Sequence, residues 1–313
     1  MDFNWKIIMS DNIISPIIEL LYKYKLLKPV QIARFKYFCK FHRLPNFEHP
    51  SDLNEKINWI KFYGDTSKWS ELADKYRVRK WIESKGYGDL LVKLYGKWDS
   101  VDTIDWDSLP DRFIMKMNNG SGDVIICRDK SRFDIEAAIK QLTKLFGTGY
   151  GLTTGEPHYA LIKPCIIAEE LLDSTHQPIK TSSLIDYKFW CFNGKVKYVW
   201  TCYNRSPEGA DVGIYDMDWN YHKEYSVFTH HYREGEQLIP KPVCLDKMIA
   251  CASELSKGFP VLRCDLYEVD GRVYFGEMTF TSFGGYMNFY SQEFLDIMGN
   301  EVNLSVDKYF KGE

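Results

Sequence analysis

Two β-rich segments near the C-terminal end of the chain, residues 262–267 and 273–279, constrain its fold most strongly. Residues 269–272 between them read Val-Asp-Gly-Arg, and an Asp-Gly pair flanked by such segments is a strong signal for a β-hairpin. We therefore predict an antiparallel pair of strands here, and we expect the rest of the fold to support it.

The geometry of the turn decides whether Asp265 and Glu277 meet, because a shift of one residue moves a side chain to the other face of a strand. A two-residue Asp-Gly turn pairs Asp265 with Gly276 and puts the two carboxylates on opposite faces. A three-residue loop, with Gly271 in the left-handed region, pairs Asp265 with Glu277. We prefer the three-residue loop, because it separates the polar side chains from the apolar ones.

In that register, one face of the hairpin carries two carboxylates and a cation. Arg263 faces Thr279 on the same side as Asp265 and Glu277. Two carboxylates about 5 Å apart repel each other unless they are protonated or bridged by a metal ion. Hard oxygen ligands beside an arginine suit Mg²⁺ that carries nucleotide phosphates. The alternative is a surface cluster in which Arg263 simply neutralises both acids.

Composition limits the class of protein. The 313 residues, 45% hydrophobic and 16% aromatic, are enough for two or three domains with sizeable cores. A formal net charge of −3 gives no electrostatic basis for nucleic-acid binding. The eight cysteines include no Cys-x-x-Cys pair, and several lie in apolar runs, which favours reduced thiols and a cytoplasmic protein. The chain shows no signal peptide and no run of about 18 apolar residues.

Two helices are predicted in the N-terminal part, over residues 13–27 and 30–41. The second is basic and aromatic, which suits either a helix packed on its own domain or a helix on a membrane surface. In the second case, residues 13–41 would contact the inner face of the membrane. Further helices are predicted over 53–63, 70–84, 134–146 and 245–257 and from Ser291. In the helix over 70–84, Tyr76 is expected on the buried face, and the exposed rim is expected to carry Asp74, Lys75, Arg77, Arg79 and Lys80. Strands are predicted over 112–117, 124–127, 166–172, 184–192 and 195–202, the last two joined by Asn193-Gly194, with a crossover over 211–225.

A second candidate site follows the strand that ends near Lys116. Residues 118–123 read Asn-Asn-Gly-Ser-Gly-Asp, and a loop of this kind can lay its backbone N–H groups along phosphate oxygens while the lysine supplies a point charge. The loop lacks the Gly-Lys-Ser/Thr of a Walker motif and the third glycine of a kinase or Rossmann fingerprint. Taken alone, it is equally compatible with an ordinary hairpin loop.

Several short motifs follow one another in a recognisable order. They are Lys116 with its glycine loop, Ile-Ala-Glu-Glu-Leu-Leu at 167–172, Asp-Tyr-Lys at 186–188, Arg-x-Asp at 263–265 and Glu-x-Thr at 277–279. This order resembles the ATP-grasp superfamily. Four further motifs resemble its TupA-like branch, named for teichuronopeptide biosynthesis: Asn-Glu-Lys at 54–56, Ala-Asp-Lys-Tyr-x-Val-Arg at 73–79, Leu-Pro-x-x-Phe at 109–113 and Asn-Gly-Ser-Gly at 119–122. The resemblance runs from about residue 44 to the end.

The resemblance implies an α+β fold in which two subdomains clasp ATP. The corresponding regions are an N-terminal helical extension over 1–50, a region over 51–110, subdomain A over 111–172, subdomain B over 173–290 and a C-terminal helix over 291–313. It also implies roles for individual residues. The nucleotide would contact Lys116, Lys188, the loop residues Asn119, Gly120, Ser121 and Gly122, and the adenine-reading hinge Glu169, Glu170, Leu171 and Leu172. One or two Mg²⁺ ions would be held by Asp265 and Glu277.

Two positions in the implied site carry special weight. Arg263 would stabilise the reacting intermediate, with Lys188 as a second catalytic cation. Thr279 departs from the family pattern, which has an asparagine ligand there, and a hydroxyl is a weaker metal ligand than an amide oxygen. The departure puts the coordination of a second metal ion in doubt.

The reaction implied is the usual one of the superfamily. ATP phosphorylates a carboxylate, and an amine attacks the acyl-phosphate to form an amide. By family analogy, the carboxylate or the amine belongs to a uronic acid or an amino acid of a cell-surface polysaccharide. A sugar phosphotransferase on the same ATP site is an alternative, and a scaffold that merely binds nucleotide is the non-enzyme alternative.

A different class of enzyme is suggested by Asp216-Met217-Asp218, which matches the Asp-x-Asp metal motif of glycosyltransferases that use Mn²⁺ and UDP-sugars. The same residues also suit a turn. Four positions are candidates for substrate contact: Arg205, Arg233, Gly284 and Gly285. The adjacent His230 and His231 are interpreted as surface residues, because neighbouring side chains of a strand diverge.

Overall fold

A computed structural model describes residues 27–304 except 121, 123, 147–150, 152–153, 173–174 and 176. The helix predicted over residues 13–27 therefore lies outside the described residues, apart from its last position. The candidate loop residue Ser121 also lies outside them, as do the last residues of the predicted C-terminal region.

The described residues form eight α-helices and ten strands. The helices are α1 Pro29–Phe41, α2 Leu53–Tyr63, α3 Trp69–Leu72, α4 Val78–Ser84, α5 Ile135–Phe146, α6 Pro157–Ala160, α7 Leu245–Leu255 and α8 Gln292–Glu301. The strands are β1 Leu94–Trp98, β2 Phe113–Met117, β3 Val124–Cys127, β4 Ile166–Glu169, β5 Asp186–Phe192, β6 Lys195–Ser206, β7 Gly209–Asp216, β8 Tyr232–Glu234, β9 Leu262–Val269 and β10 Arg272–Thr279. The predicted α+β class is confirmed.

The first sheet has four strands in the order β1-β4-β2-β3, all of them antiparallel. In β2, Phe113, Met115 and Met117 are buried and pack in one cluster with α5, whereas the alternate residue Lys116 faces the other side. This alternation is that of a regular strand, in which successive side chains point to opposite faces. The sheet therefore presents Lys116 on its polar face.

The second sheet has six strands in the order β10-β9-β5-β6-β7-β8. The hairpin of β5 and β6 turns on Asn193 and Gly194 with φ of 47° and 82°, as expected for a two-residue turn that needs positive φ at both positions. The predicted crossover over 211–225 is wrong in its first part. Residues 211–216 belong to β7, which pairs with β6 and buries Val212 and Ile214 against the core.

The helix predicted over 70–84 is also wrong, because it is two helices, α3 and α4. The Asp74 carboxylate accepts the backbone N–H groups of Tyr76 at 2.8 Å and Arg77 at 3.1 Å, and this local bonding competes with a continuous helix. The backbone N–H of Lys75 donates to the carbonyl of Asn118 at 3.0 Å. As a result, Asp74 is buried and Tyr76 is exposed, the reverse of the prediction.

Most other helix boundaries follow the sequence signals. Helix α2 begins after Asp52, whose carboxylate accepts the N–H of Glu55 at 2.9 Å, and α8 begins after Ser291, whose hydroxyl accepts the N–H of Phe294 at 3.3 Å. No helix among the described residues is both long enough and apolar enough to span a membrane.

His158 on α6 is a buried histidine that packs edge-on against Trp69, with ring centroids 5.3 Å apart. Neither ring nitrogen has a hydrogen-bond partner among the described residues. Burial, and then the charge of Lys61, lower the pKa of His158 to about 3. The folded protein therefore keeps this imidazole neutral under mildly acidic conditions.

We expect the replacement His158→Phe to flatten the pH dependence of stability. Below its ordinary pKa of about 6.5, the histidine takes up a proton in the unfolded chain but not in the folded one, so acid favours unfolding. Between pH 7 and pH 5 the wild type should lose about 2 kcal/mol more of its free energy of unfolding than the variant does. Urea unfolding of both proteins at the two pH values measures the difference. Parallel pH profiles would contradict the expectation.

Candidate active site

The hairpin of β9 and β10 turns on two residues, not three. Asp270 and Gly271 have φ of 51° and 69°, and Val269 pairs directly with Arg272. The predicted three-residue loop is therefore wrong. Positive φ at both central positions gives the turn a twist that matches the right-handed twist of its strands, which is why hairpins favour this turn.

The predicted pairing of Asp265 with Glu277 is nevertheless confirmed, because a β-bulge lies between Phe275 and Glu277. Phe275 pairs with Leu266, and the register then shifts by one residue at Gly276. A Cβ atom on Gly276 would lie 2.9 Å from the carbonyl oxygen of Asp265, so the strands can approach this closely only at a glycine. The bulge thus places the Asp265 and Glu277 side chains on the same face of the hairpin, where the two-residue turn alone would have put them on opposite faces.

Asp265 lies at the centre of a buried set of charges, with a side chain only 1% exposed. Arg263 binds it through two parallel hydrogen bonds, from Nε to Oδ1 and from Nη2 to Oδ2, each 2.8 Å long. Lys188 on β5 donates to Oδ2 at 2.5 Å. Burial raises the pKa of Asp265, whereas both cations stabilise its ionised form.

Glu277 lies beside this pair and keeps a side-chain exposure of 32%. Its carboxylate is 3.1 Å from Nζ of Lys75 and 3.5 Å from Nη2 of Arg263. Burial opposes ionisation, but the charges of Lys75, Lys188 and Arg263 outweigh it and hold the pKa of Glu277 well below its usual range. Glu277 is thus a permanent anion that solvent can reach.

Thr279 occupies the position beside Glu277 on the same face. Its hydroxyl donates to Oε1 of Glu277 at 3.3 Å and accepts from Nη2 of Arg263 at 3.1 Å. The hydroxyl therefore orients the arginine and the acid towards each other.

The charges continue to Asp186 on β5 and Arg205 on β6. Lys188 donates to Asp186 at 2.6 Å, and the Arg205 guanidinium binds the same carboxylate. Arg233 binds Asp211 at 3.1 Å. Both arginines that were candidates for substrate contact thus have carboxylate partners within the protein. Cations and anions alternate from Arg205 to Glu277 across the four neighbouring strands β6, β5, β9 and β10, and Lys75 follows from the turn between α3 and α4.

A second cluster lies on the polar face of the four-stranded sheet. Nζ of Lys116 is 2.6 Å from one oxygen of Glu169, and Nη1 of Arg79 is 3.2 Å from the other. Arg79 also donates to the backbone carbonyl of Val92 at 2.9 Å. Glu169 therefore holds two cations at the end of β4, where the chain enters the predicted hinge.

The predicted hinge follows β4 directly. Glu170 is exposed, and its backbone N–H donates to the carbonyl of Lys93 at 2.9 Å. The next two residues, Leu171 and Leu172, are half-buried.

The predicted phosphate loop is held at its start and reaches the hairpin through one lysine. The side-chain oxygen of Asn118 accepts the N–H of Cys165 at 2.8 Å, Asn119 is buried, and Gly122 has a φ of 78°. Nζ of Lys75 donates to the carbonyl of Gly120 at 2.6 Å while it also binds Glu277. Lys75 thus connects the two candidate sites.

Lys75 and Arg79 are the two site residues that sequence reasoning placed elsewhere, on the exposed rim of a helix. Both belong to the Ala-Asp-Lys-Tyr-x-Val-Arg motif at 73–79, so the motif itself was the available signal. Because the predicted helix is interrupted at Asp74, the two side chains point to the site instead of to solvent.

The remaining candidates have structural partners. The carbonyl of Gly284 accepts from Nζ of Lys61 at 2.7 Å, and that of Gly285 accepts from Asn58 at 2.8 Å. The Asp216 carboxylate accepts the N–H groups of Asp218 at 3.0 Å and Asn220 at 2.8 Å.

The Asp-x-Asp segment is therefore a turn held by its own first aspartate. His230 and His231 are exposed, as predicted.

The donor set suits Mg²⁺ that arrives with a nucleotide. Mg²⁺ keeps several waters and commonly binds proteins through one or two carboxylates together with substrate phosphates. Asp265 and Glu277 supply two adjacent carboxylates, of which Glu277 is open to solvent. Across the described part of the chain, no cluster of three or more His, Cys, Asp or Glu side chains could hold a metal ion unaided. Water and phosphate oxygens would complete the coordination.

Residues 55–303 match the family model described as TupA-like ATPgrasp. No curated protein matches the chain. Among solved structures, the D-alanine–D-alanine ligase from Bacillus anthracis matches with a TM-score of 0.42 at 17% identity, over 83% of this chain and 72% of that one. The corresponding enzyme from Helicobacter pylori gives 0.41 at 12% identity, over 80% and 69%. The ATP-grasp ligase PsnB with a minimal precursor gives 0.39 at 13% identity, over 79% and 63%.

Proposed function

The chain belongs to the TupA-like ATP-grasp family, and on that premise we propose that it is an ATP- and Mg²⁺-dependent ligase that joins a carboxylate to an amine. One observation carries the proposal. Lys75 places the glycine loop of the first sheet against the acid and arginine cluster of the second sheet, through its bonds to Gly120 and Glu277. A triphosphate lying between the loop and the hairpin would meet Lys188 and Arg263 on one side and Lys116 on the other.

The reaction needs charge neutralisation and positioning, and it needs no covalent protein nucleophile. A carboxylate oxygen of the substrate attacks the γ-phosphorus, the bond to the β–γ bridging oxygen breaks, and ADP leaves. The amine nitrogen then attacks the acyl carbon, phosphate leaves, and the nitrogen loses a proton. Mg²⁺, when bound by Asp265 and Glu277, would neutralise phosphate charge.

Arg263 is the residue best placed to stabilise the intermediate. Two of its nitrogens bind Asp265 and a third binds the Ser282 hydroxyl at 2.6 Å, so the guanidinium is locked in orientation before any substrate binds. A cation that needs no rearrangement stabilises developing negative charge most effectively. Lys188, held by two aspartates, serves as the second cation on this face.

At the other end of the nucleotide, Lys116 is held by Glu169 at 2.6 Å, at the point where β4 runs into the hinge of residues 169–172. We propose that Lys116 binds phosphate and that Glu169, Glu170, Leu171 and Leu172 border the adenine. The loop residues Asn119, Gly120, Ser121 and Gly122 would close over the phosphates, because backbone N–H groups in such loops bind anions.

We propose a uronic acid or amino-acid substituent of a cell-surface polysaccharide as substrate, on the strength of the family to which the chain belongs. The test is incubation of the protein with ATP, Mg²⁺ and pooled uronic acids and amino acids, followed by product analysis. ADP, phosphate and a new amide support the ligase. A phosphorylated sugar with ADP would instead indicate a phosphotransferase, and release of UDP from UDP-sugars with Mn²⁺ would indicate the Asp-x-Asp transferase.

The proposed acyl-phosphate has its own test. Hydroxylamine is a strong nucleophile that can replace the amine, so an acyl-phosphate should be trapped as a hydroxamate. Reactions that lack the amine, the carboxylate or ATP serve as controls. ADP formation without hydroxamate, in the presence of the correct carboxylate, would argue for direct transfer to a hydroxyl group.

A cytoplasmic location is part of the proposal, and it is supported by the eight cysteines, none of which forms a disulfide. Helix α1 has an exposed surface that includes Phe35 and Phe38, and the same helix carries Lys36 and Lys40. Such a surface suits contact with the anionic inner face of a membrane.

We expect the protein to cosediment with anionic vesicles and not with neutral ones. The double replacement Phe35→Ser/Phe38→Ser should abolish that binding, and equal binding to both kinds of vesicle would contradict the expectation.

A further inference from the structure

Lys75 is the one described residue that bonds to both the glycine loop and the Asp265–Glu277 pair. Its Nζ lies 2.6 Å from the carbonyl of Gly120 and 3.1 Å from Oε2 of Glu277. Its own backbone N–H donates to the carbonyl of Asn118 at 3.0 Å, which anchors it at the start of the same loop. The residue comes from the turn between α3 and α4, outside the two sheets that form the site.

The three cations on the hairpin side differ in how firmly they are held. Arg263 and Lys188 bind Asp265, which is fully buried, and each makes a further bond to a second buried side chain. The carboxylate partner of Lys75 is Glu277, which remains open to solvent. Lysine is also a compact charge on a flexible stem, unlike the rigid fork of arginine. Lys75 is therefore the cation that can most easily exchange its partner.

The partner that Lys75 would give up is Glu277, which is also a proposed ligand of Mg²⁺. An ammonium group on Glu277 competes directly with a metal ion for the same carboxylate oxygens. If Mg²⁺ were bound to Glu277, the anchored lysine would remain beside the glycine loop, where a phosphate oxygen of the nucleotide would be its nearest new anion. The anchoring bond from its backbone to Asn118 does not depend on the side chain, so the exchange leaves the turn in place.

We propose that Lys75 is a third phosphate-binding cation, which holds Glu277 until Mg²⁺ and ATP bind together and then transfers to the terminal phosphate. This role rests on the proposed function and adds selectivity to it. A lysine that contacts the γ-phosphate distinguishes ATP from ADP. Its competition for Glu277 also disfavours metal binding without nucleotide. Lys75 thereby couples the two binding events.

The test compares Lys75→Met with the matched control Lys80→Met, which removes an exposed lysine of the same segment. The dissociation constants of ATP and ADP are measured by calorimetry with Mg²⁺ present, and Mn²⁺ binding without nucleotide is measured by electron paramagnetic resonance. We expect Lys75→Met to weaken ATP binding on the order of tenfold to a hundredfold and to leave ADP binding within about twofold. Mn²⁺ should bind the variant more tightly than the wild type. Lys80→Met should match the wild type in all three measurements.

Two further variants extend the test. Lys75→Gln keeps a donor for the Gly120 carbonyl but has no charge, so it should behave like Lys75→Met, and it takes the place of that variant if the methionine prevents folding. Lys75→Arg retains the charge and should recover part of the preference for ATP.

Equal weakening of ATP and ADP, or no weakening of either, would overturn the proposed role of Lys75. Failure of the wild type to bind ATP at all would instead refute the proposed function, so the two failures are distinguishable.

Discussion

The variant Glu277→Gln should lose turnover by at least about 10³-fold, because in the proposed reaction this carboxylate would balance metal and phosphate charge, an effect worth several kcal/mol in the transition state. The amide keeps the shape of the side chain and one acceptor oxygen but loses the charge. Glu277 is partly exposed, so the free energy of unfolding should change by no more than about 1 kcal/mol. Initial rates of ADP release at saturating ATP and Mg²⁺ measure the loss, and thermal melting checks the fold.

The matched control is Glu254→Gln. Glu254 is also a partly exposed glutamate between two lysines, 3.3 Å from Lys85 and 2.5 Å from Lys257, but it lies on α7 away from the candidate site. We expect this control to keep the wild-type rate. If Glu277→Gln retained a tenth or more of the wild-type rate, the assignment of Glu277 as a metal ligand would be wrong.

The variant Asp265→Asn should lose both activity and stability, and the loss of free energy of unfolding should be about 3–5 kcal/mol. Asp265 is fully buried and bound by Arg263 and Lys188. A neutral amide leaves those two buried cations without their common counter-ion, and an uncompensated buried charge is costly. Urea unfolding measures the free energy of unfolding of Asp265→Asn and of Glu277→Gln. We expect the larger loss for the buried Asp265.

A double variant tests the charge explanation. The double variant Lys188→Met/Asp265→Asn removes one cation together with the anion. Its loss of free energy of unfolding should therefore be clearly smaller than the sum of the losses in the two single variants. If the losses of free energy of unfolding were additive, the destabilisation of Asp265→Asn would come from altered packing and not from the unpaired charges. A cost below about 1 kcal/mol for Asp265→Asn alone would contradict the buried ion-pair network.

Local features of the fold could be predicted from the sequence. The turn at Asn193-Gly194, the start of α2 at Leu53 and the alternation along β2 depend on residues within a few positions of one another. Backbone preferences and side-chain periodicity act at that range. The order of the short motifs was also sufficient to predict the family, which the family model confirms over residues 55–303.

Where local signals competed, the predictions were wrong. Residues 70–84 have the periodicity of one helix, but the Asp74 carboxylate binds the backbone and interrupts it. Without a bulge, the two-residue Asp-Gly turn and the pairing of Asp265 with Glu277 exclude each other. They coexist because the bulge at Gly276 adds a residue to one strand only, and nothing in the turn sequence shows where a strand will take up an extra residue.

Which charged residues the chain has, most of the strands and turns that carry them, and the family all follow from the sequence. The partners of those charged residues follow only from the folded structure. Arg205 binds Asp186, and Arg79 binds Glu169, which lies 90 residues further along the chain. Lys75 binds both Gly120 and Glu277. Burial and competition among nearby charges determine which ion pairs a long charged side chain forms. Those conditions arise only when segments distant in sequence pack together.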